Sequence, residues 1–207
     1  QQEVNYTISV SLNDVDHTLT GYEEFIYINN SPNTLTEMYI HLWPNAYRDG
    51  NSALGKQLYR NGEMELTYGW EKNKGNIDDL KFNVDGNSVQ WRYDEKHKDI
   101  CILTLNMPLQ SGGQIKVSTP FSVKIPSGEI SRLGHIDQSY QITQWYPKPA
   151  VYDKNGWNPI PYLNQGEFYS EYGSFDVSIT LPANYVVGAT GDLQTESEIE
   201  FLAQKVE

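Results

Sequence analysis

A chain of 207 residues with 15 basic and 27 acidic side chains, formal net charge -12, makes a poor partner for nucleic acid or an anionic membrane. The acidic excess chiefly confers solubility, although it would draw in a cationic ligand such as a peptide amino terminus. No apolar run approaches the roughly 18 residues a bilayer span needs, and a single cysteine, Cys101, excludes an intrachain disulfide.

The length suits one large domain or two small ones, and nothing in the middle reads as a linker. Alternation of apolar and polar residues with period two recurs from end to end. Val4, Tyr6, Ile8, Val10 and Leu12 fall on one face, with Asn5, Thr7, Ser9 and Ser11 on the other. Asp14, Val15, Asp16 and His17 make a turn, and residues 18–30 resume a strand. Residues 29–33 (Asn-Asn-Ser-Pro-Asn) are a turn cluster. Met38, Ile40 and Leu42 then alternate with Glu37, Tyr39 and His41, which places His41 outward from its strand.

Residues 51–65 carry a weak helical spacing in Ala53, Leu54 and Leu58, interrupted by Gly55 and Gly62, and read as a long excursion with one short helix. Leu80, Phe82 and Val84 lead through an Asp85, Gly86, Asn87 turn to Val89, Trp91 and Tyr93. Cys101 lies in a strand-like run (100–105) as a small buried hydrophobe. The strongest alternation is Ile115, Val117, Thr119, Phe121, Val123 and Ile125, and Phe175, Val177, Ile179 and Leu181 form another. About ten strands with closely spaced turns predict an all-β fold, an antiparallel β-sandwich or a large twisted sheet. Residues 198–206 start a new element, so residues 1–195 read as a β domain and 196–207 as the start of a connection onward.

The segment 141–161 stands apart, with two Trp, two Tyr and four Pro. Proline fixes φ and removes a donor, so this stretch is neither a helix nor a central strand. Its aromatic content argues against disorder, which leaves an ordered surface built to touch something.

Complete catalytic constellations are absent from the sequence. His17, His41, His97 and His135 lie far apart and form no His-Glu-x-x-His pair. His17 in a turn and His97 in a charged run read as solvated, while His135 precedes the aromatic segment and is the better pocket candidate. There is no Gly-x-Ser-x-Gly and no phosphate-cradling glycine loop. Asp78 with Asp79, Glu23 with Glu24, and Glu167 with Glu171 are candidate acid pairs. Asp14 and Asp16 lack the further ligands of a Ca²⁺ loop.

The order of features resembles the amino-terminal β domain of the gluzincin zinc aminopeptidases related to aminopeptidase N and leukotriene hydrolase. The resemblance is carried by residues 6–12, 17–21, 27–32 and 34–45, by Gln144, Trp145, Tyr146 and Pro147 with Pro149, Tyr152 and Asp153, and by 175–182 with 187–191. It covers residues 4 to 193 and is nearest to an exported Bacteroidetes-type branch, which implies a periplasmic or cell-surface location. The opening Gln1, Gln2, Glu3 without Met suits a cleaved secretory signal or an excised piece.

The resemblance implies a saddle-like twisted sheet that walls the substrate cleft and packs on a downstream helical zinc domain. Zinc, the His-Glu-x-x-His motif and the Gly-x-Met-x-Asn motif belong to that other domain, and no cofactor is expected in this chain. Peptide substrate and the downstream domain are the implied partners, with no nucleic acid. In the family, a Gln-x-Glu/Gln motif holds the substrate's free amino group. Gln144 matches its first position, whereas Tyr146 stands where the acid or amide would be. Gln144, Trp145 and Tyr146 are therefore the implied substrate-binding residues. Trp145 and Trp157 are expected to bury against a partner domain or anchor the loop. The alternative is a free-standing β-sandwich that binds a glycan or protein through exposed aromatic platforms.

Overall fold

The computed structural model describes residues 2–206. The chain opens with a long hairpin, β1 (Glu3–Asn13) and β2 (Thr18–Ile28), in which Tyr6 faces Phe25 and Val10 faces Gly21. Period-two alternation puts Val4, Tyr6, Ile8 and Val10 on the buried face, as the sequence pattern predicts. β3 (Leu35–His41) follows, then a 3₁₀ turn at Trp43–Tyr47, α1 (Ala53–Arg60) and α2 (Glu65–Tyr68). Ser52 caps α1 by accepting a hydrogen bond from the Gly55 N–H at 2.9 Å. The excursion 51–65 thus contains one short helix and the start of a second.

Five strands build the middle of the chain: β4 (Asn76–Asp78), β5 (Asn83–Val84), β6 (Asn87–Ser88), β7 (Trp91–Tyr93) and β8 (Ile100–Leu109). Asp85 and Gly86, at φ of 49° and 79°, close the β5–β6 hairpin with both central residues left-handed, the geometry that Asp-Gly favours. β9 (Gln114–Lys124) is the central strand of the main sheet, with β2 on one side and β4 and β5 on the other. Its Pro120 lies between the residues that pair with β5 (117–118) and those that pair with β4 (122–124). A residue without an N–H is tolerated there because no ladder bond is due on that flank.

The remaining strands are β10 (Gly134–Ile136), β11 (Ser139–Gln141), β12 (Lys148–Pro149), β13 (Val151–Asp153), β14 (Gly156–Asn158) and β15 (Phe175–Thr180), before α3 (Glu196–Val206). The main sheet runs β15-β1-β2-β9-β5-β6, with β4 also on β9; a second sheet runs β12-β3-β8-β7. Their inner faces share one core in which Tyr6, Phe25, Val117 and Phe121 meet Met38, Ile40, Cys101 and Leu103. A satellite core beneath α1 joins Trp43, Tyr47, Leu54, Leu58 and Tyr162. The all-β sandwich is as expected, and Cys101 is buried within it.

Three details depart from the sequence reading. The β1–β15 ladder is parallel, joining residues 6–11 to 175–180. The strands number more than ten because two- and three-residue pairings add to the long ones. His41 does not face outward: it is fully buried and stacks on Trp43 with ring centroids 4.4 Å apart. No helix among the described residues is long and apolar enough to cross a membrane.

Candidate functional site

The segment 141–161 leaves the β10–β11 hairpin, crosses the end of the sandwich and returns as the edge strand β12 beside β3. An edge is the place in a sheet that accepts Pro149, and the Ala150 N–H donates to the Tyr39 carbonyl at 2.8 Å. Aromatic anchors fix the crossing. Trp145 packs on Phe121 (5.9 Å between centroids), and Tyr146 meets Tyr6 edge-on at 5.5 Å. Trp157 lies against Tyr27, Tyr39 and Tyr152. Both tryptophans therefore anchor the loop on this domain's own core.

Gln144 sits at the bend with φ of 54°. The other non-glycine residues with positive φ are His17, Asp79, Asp85 and Asp137, types that tolerate the left-handed region. Glutamine does not, and holding it there costs about 1–3 kcal/mol, a strain that concentrates at functional positions. Lys148 explains part of the constraint. Its ammonium donates to Gln144 Oε1 at 2.6 Å and to Ser170 Oγ at 2.9 Å, and lies 4.0 Å from the centre of the Trp43 ring.

This corner is electrostatically unusual. Burial lowers the Lys148 amine to about 7. Burial, and then the Lys148 charge, lowers His41 to about 3, so the imidazole is neutral; neither ring nitrogen has a hydrogen-bond partner. On the β1–β2 side, Glu23 is fully buried without a partner for either carboxylate oxygen, and burial raises it well above the usual range. Burial also raises the Tyr146 hydroxyl. The site is thus a dry, aromatic-lined corner in which one amine can titrate near neutrality.

Gln144, Trp145 and Tyr146 lie together on one ordered bend, all three half-buried. Sequence reasoning missed Lys148, Trp43 and Ser170 and turned His41 outward; apart from Lys148 these come from two other stretches of chain, and a lysine between Pro147 and Pro149 was the only local signal. Glu23 and Glu24 are not a pair in space. Glu23 faces the core, whereas Glu24 faces outward to Lys116 at 3.2 Å, and Asp78 pairs with Arg48 at 3.0 Å. His17 is not simply solvated: it stacks on His135 at 3.6 Å between centroids, and its Nδ1 lies 2.7 Å from the Tyr140 hydroxyl. Among the described residues, no group of three or more His, Cys, Asp or Glu side chains is arranged to hold a metal ion.

No protein-family model matches the chain, and no curated protein matches it. Solved structures do. A two-domain M1 zinc metallopeptidase mutant bound to L-arginine matches over 94% of this chain at 13% identity with a TM-score of 0.51. A two-domain M1 zinc metallopeptidase mutant bound to L-tryptophan matches at 15% identity with a TM-score of 0.50, again over 94% of this chain. A mutant M1 zinc metallopeptidase from Deinococcus radiodurans matches at 14% and 0.50. This chain spans 36%, 36% and 35% of those three proteins. At such identity the likeness is one of fold: the chain has the fold of about a third of an M1 zinc metallopeptidase.

Proposed function

We propose that this chain is the non-catalytic amino-terminal β domain of an exported M1-type zinc metallopeptidase, walling one side of the peptide cleft. The observation that carries this reading is the fold match over 94% of the chain to two-domain zinc peptidases of which it spans only 36%. A downstream helical domain supplies the zinc and the general base; this chain supplies surface and orientation. The ordered bend at Gln144, Trp145 and Tyr146 is the wall that the peptide meets.

Gln144 helps to hold the peptide's amino end. Its carbonyl oxygen has two lone pairs, and Lys148 uses one. Two ammonium groups on one carbonyl repel each other, so the amine contact is strongest when Lys148 is neutral, which its lowered pKa of about 7 permits. Tyr146 cannot replace a carboxylate at this position, because burial keeps its hydroxyl protonated; it serves as an aromatic surface.

The test uses the full-length parent protein. Gln144→Ala should raise KM for peptides with a free amino terminus by about tenfold, the worth of one charge-assisted hydrogen bond, and leave N-acetylated peptides nearly unchanged. Equal effects on both substrates would remove the amine contact. Absence of zinc-dependent peptide hydrolysis in the parent would remove the peptidase reading and leave the alternative, a binding module. That second reading is favoured by Tyr68 and Trp70, exposed at 72% and 76% beside the excursion.

A further inference from the structure

The excursion after β3 helps build a concavity, lined by none of the Gln144-bend residues, whose walls carry the opposite charge to the molecule as a whole. It has a volume of about 330 Å³, and Lys56, Arg60 and His97 line it together with Ala53, Pro161 and Leu163. No acidic side chain lines it, although the chain has 27 acidic residues against 15 basic.

The basic groups are placed rather than scattered. Lys56 and Arg60 stand one helical turn apart on α1, and neither side chain has an ion-pair or hydrogen-bond partner among the described residues. Like charges at this spacing repel and weaken a helix, a cost that an anion between them removes. His97 is fixed by its own turn, in which Asp94 Oδ1 accepts the Lys96 and His97 N–H groups at 2.9 Å each. The nearest buried acid, Asp99, is turned inward, where its carboxylate accepts the Tyr162 N–H at 2.7 Å.

The His97 ring supplies the second observation. Its Nδ1 is shut off from solvent with no hydrogen-bond partner. Burying an unbonded N–H is avoided in proteins, which favours the ring proton on Nε2 of this pocket-lining residue. Gln57, the remaining lining residue, is held in place by reciprocal bonds with the Gln165 backbone at 3.0 and 2.9 Å. That pair ties α1 to the segment after β14 and keeps both walls in register.

We propose that this pocket binds a small organic anion, with a carboxylate or phosphate group held by Lys56, Arg60 and His97 Nε2–H and an apolar body resting on Ala53, Pro161 and Leu163. The volume lies at the small end of the range for ligand pockets, which suits an amino-acid-sized molecule. This assignment gives residues 51–65 a role and is independent of the peptidase reading, because it needs no zinc and no second domain.

The experiment is amide shift mapping by ¹H–¹⁵N NMR on the full chain, with N-acetylleucine, N-acetylleucine amide and inorganic phosphate as probes. Saturable shifts confined to residues 53–60, 97 and 162–163 are expected for N-acetylleucine or phosphate and not for the amide. The tighter of the two anions identifies the source as carboxylate or phosphate. Lys56→Gln with Arg60→Gln, which keeps good helix formers at exposed positions, should weaken binding at least about tenfold. Shifts of equal size with the neutral amide, no saturable shift with either anion, or unchanged affinity in the double variant each overturn the proposal.

Discussion

Glu23 shows how a single side chain can be misread from its neighbours. In sequence it sits beside Glu24, and the two look like one acidic feature. In the structure strand alternation sends Glu24 to Lys116 and drives Glu23 into the core, where neither oxygen finds a partner. Burial raises its pKa, so between the ordinary value of 4.5 and that higher folded value the folded state holds a proton that the unfolded state has lost. Stability contributed by this group is therefore full below 4.5 and falls as pH rises. Glu23→Gln removes the titration while keeping the volume. It should raise unfolding free energy at pH 8 by roughly 1–3 kcal/mol, the scale of an unsatisfied buried polar group, and change it much less at pH 4. Urea titrations at the two pH values check this, and an equal gain at both would show that charge is not the cause. Alternation predicts the inward face of β2 but not a carboxyl on it, because a strand pattern is blind to what lies across the sandwich. Lys148 was hidden for the same reason: Trp43 and Ser170 become its neighbours only once the second sheet and the 160–170 segment have folded over it.

Element by element, legibility follows the range of the pairing. The β1–β2 hairpin was visible, because eleven-residue alternation and turn residues are local signals, whereas β9 was visible as a strand but not as the partner of β2. The β15–β1 ladder was visible as a strand but not as a parallel partner, since its mate lies some 170 residues away. One residue makes that pairing sterically feasible. A Cβ at Gly173 would fall 1.5 Å from the Val4 carbonyl oxygen, so the approach to β1 is open only to glycine. Just beyond it, the Tyr6 N–H donates to the Ser174 carbonyl at 2.9 Å, and Asn5 Oδ1 accepts from both the Ser174 N–H and its hydroxyl. Gly173→Ala should therefore detach β15 while leaving β1, β2 and β9 paired. Hydrogen exchange reads this directly: amides 175–180 should lose protection, and those of 115–123 should keep theirs. Retained protection at 175–180 would mean that the backbone shifts to admit the methyl group.

For the whole molecule, the question is which buried groups set the response of stability to pH. A chain with net charge -12 gains little self-attraction as pH rises above neutrality, so a generic acidic protein shows a flat or falling profile there. Lys148 opposes that trend. Its folded pKa is lowered from 10.5 to about 7, so between those values the unfolded chain binds more protons than the folded one. The stability contributed by Lys148 then rises with pH from about 7 upward, against the fall contributed by Glu23, so the Glu23→Gln background isolates it. The rise ends near pH 10, because burial raises Tyr6, Tyr27 and Tyr47 above their ordinary value. There the unfolded chain loses phenolic protons that the folded one keeps, and the slope reverses. His41, lowered from 6.5 to about 3, adds an acid limb on which stability falls as pH drops through 6.5. In that background the predicted profile climbs through the range 7–9, peaks below 10 and then declines. Lys148→Met, which retains a long apolar stem against Trp43, should flatten the 7–9 limb and leave both the acid limb and the decline above 10 in place. Thermal unfolding of the two proteins at half-unit pH steps is the measurement. With Glu23 replaced, a profile already flat between 7 and 9 would mean that the amine stays charged in its aromatic corner, and with it would go the condition under which Gln144 is free to take a second amine.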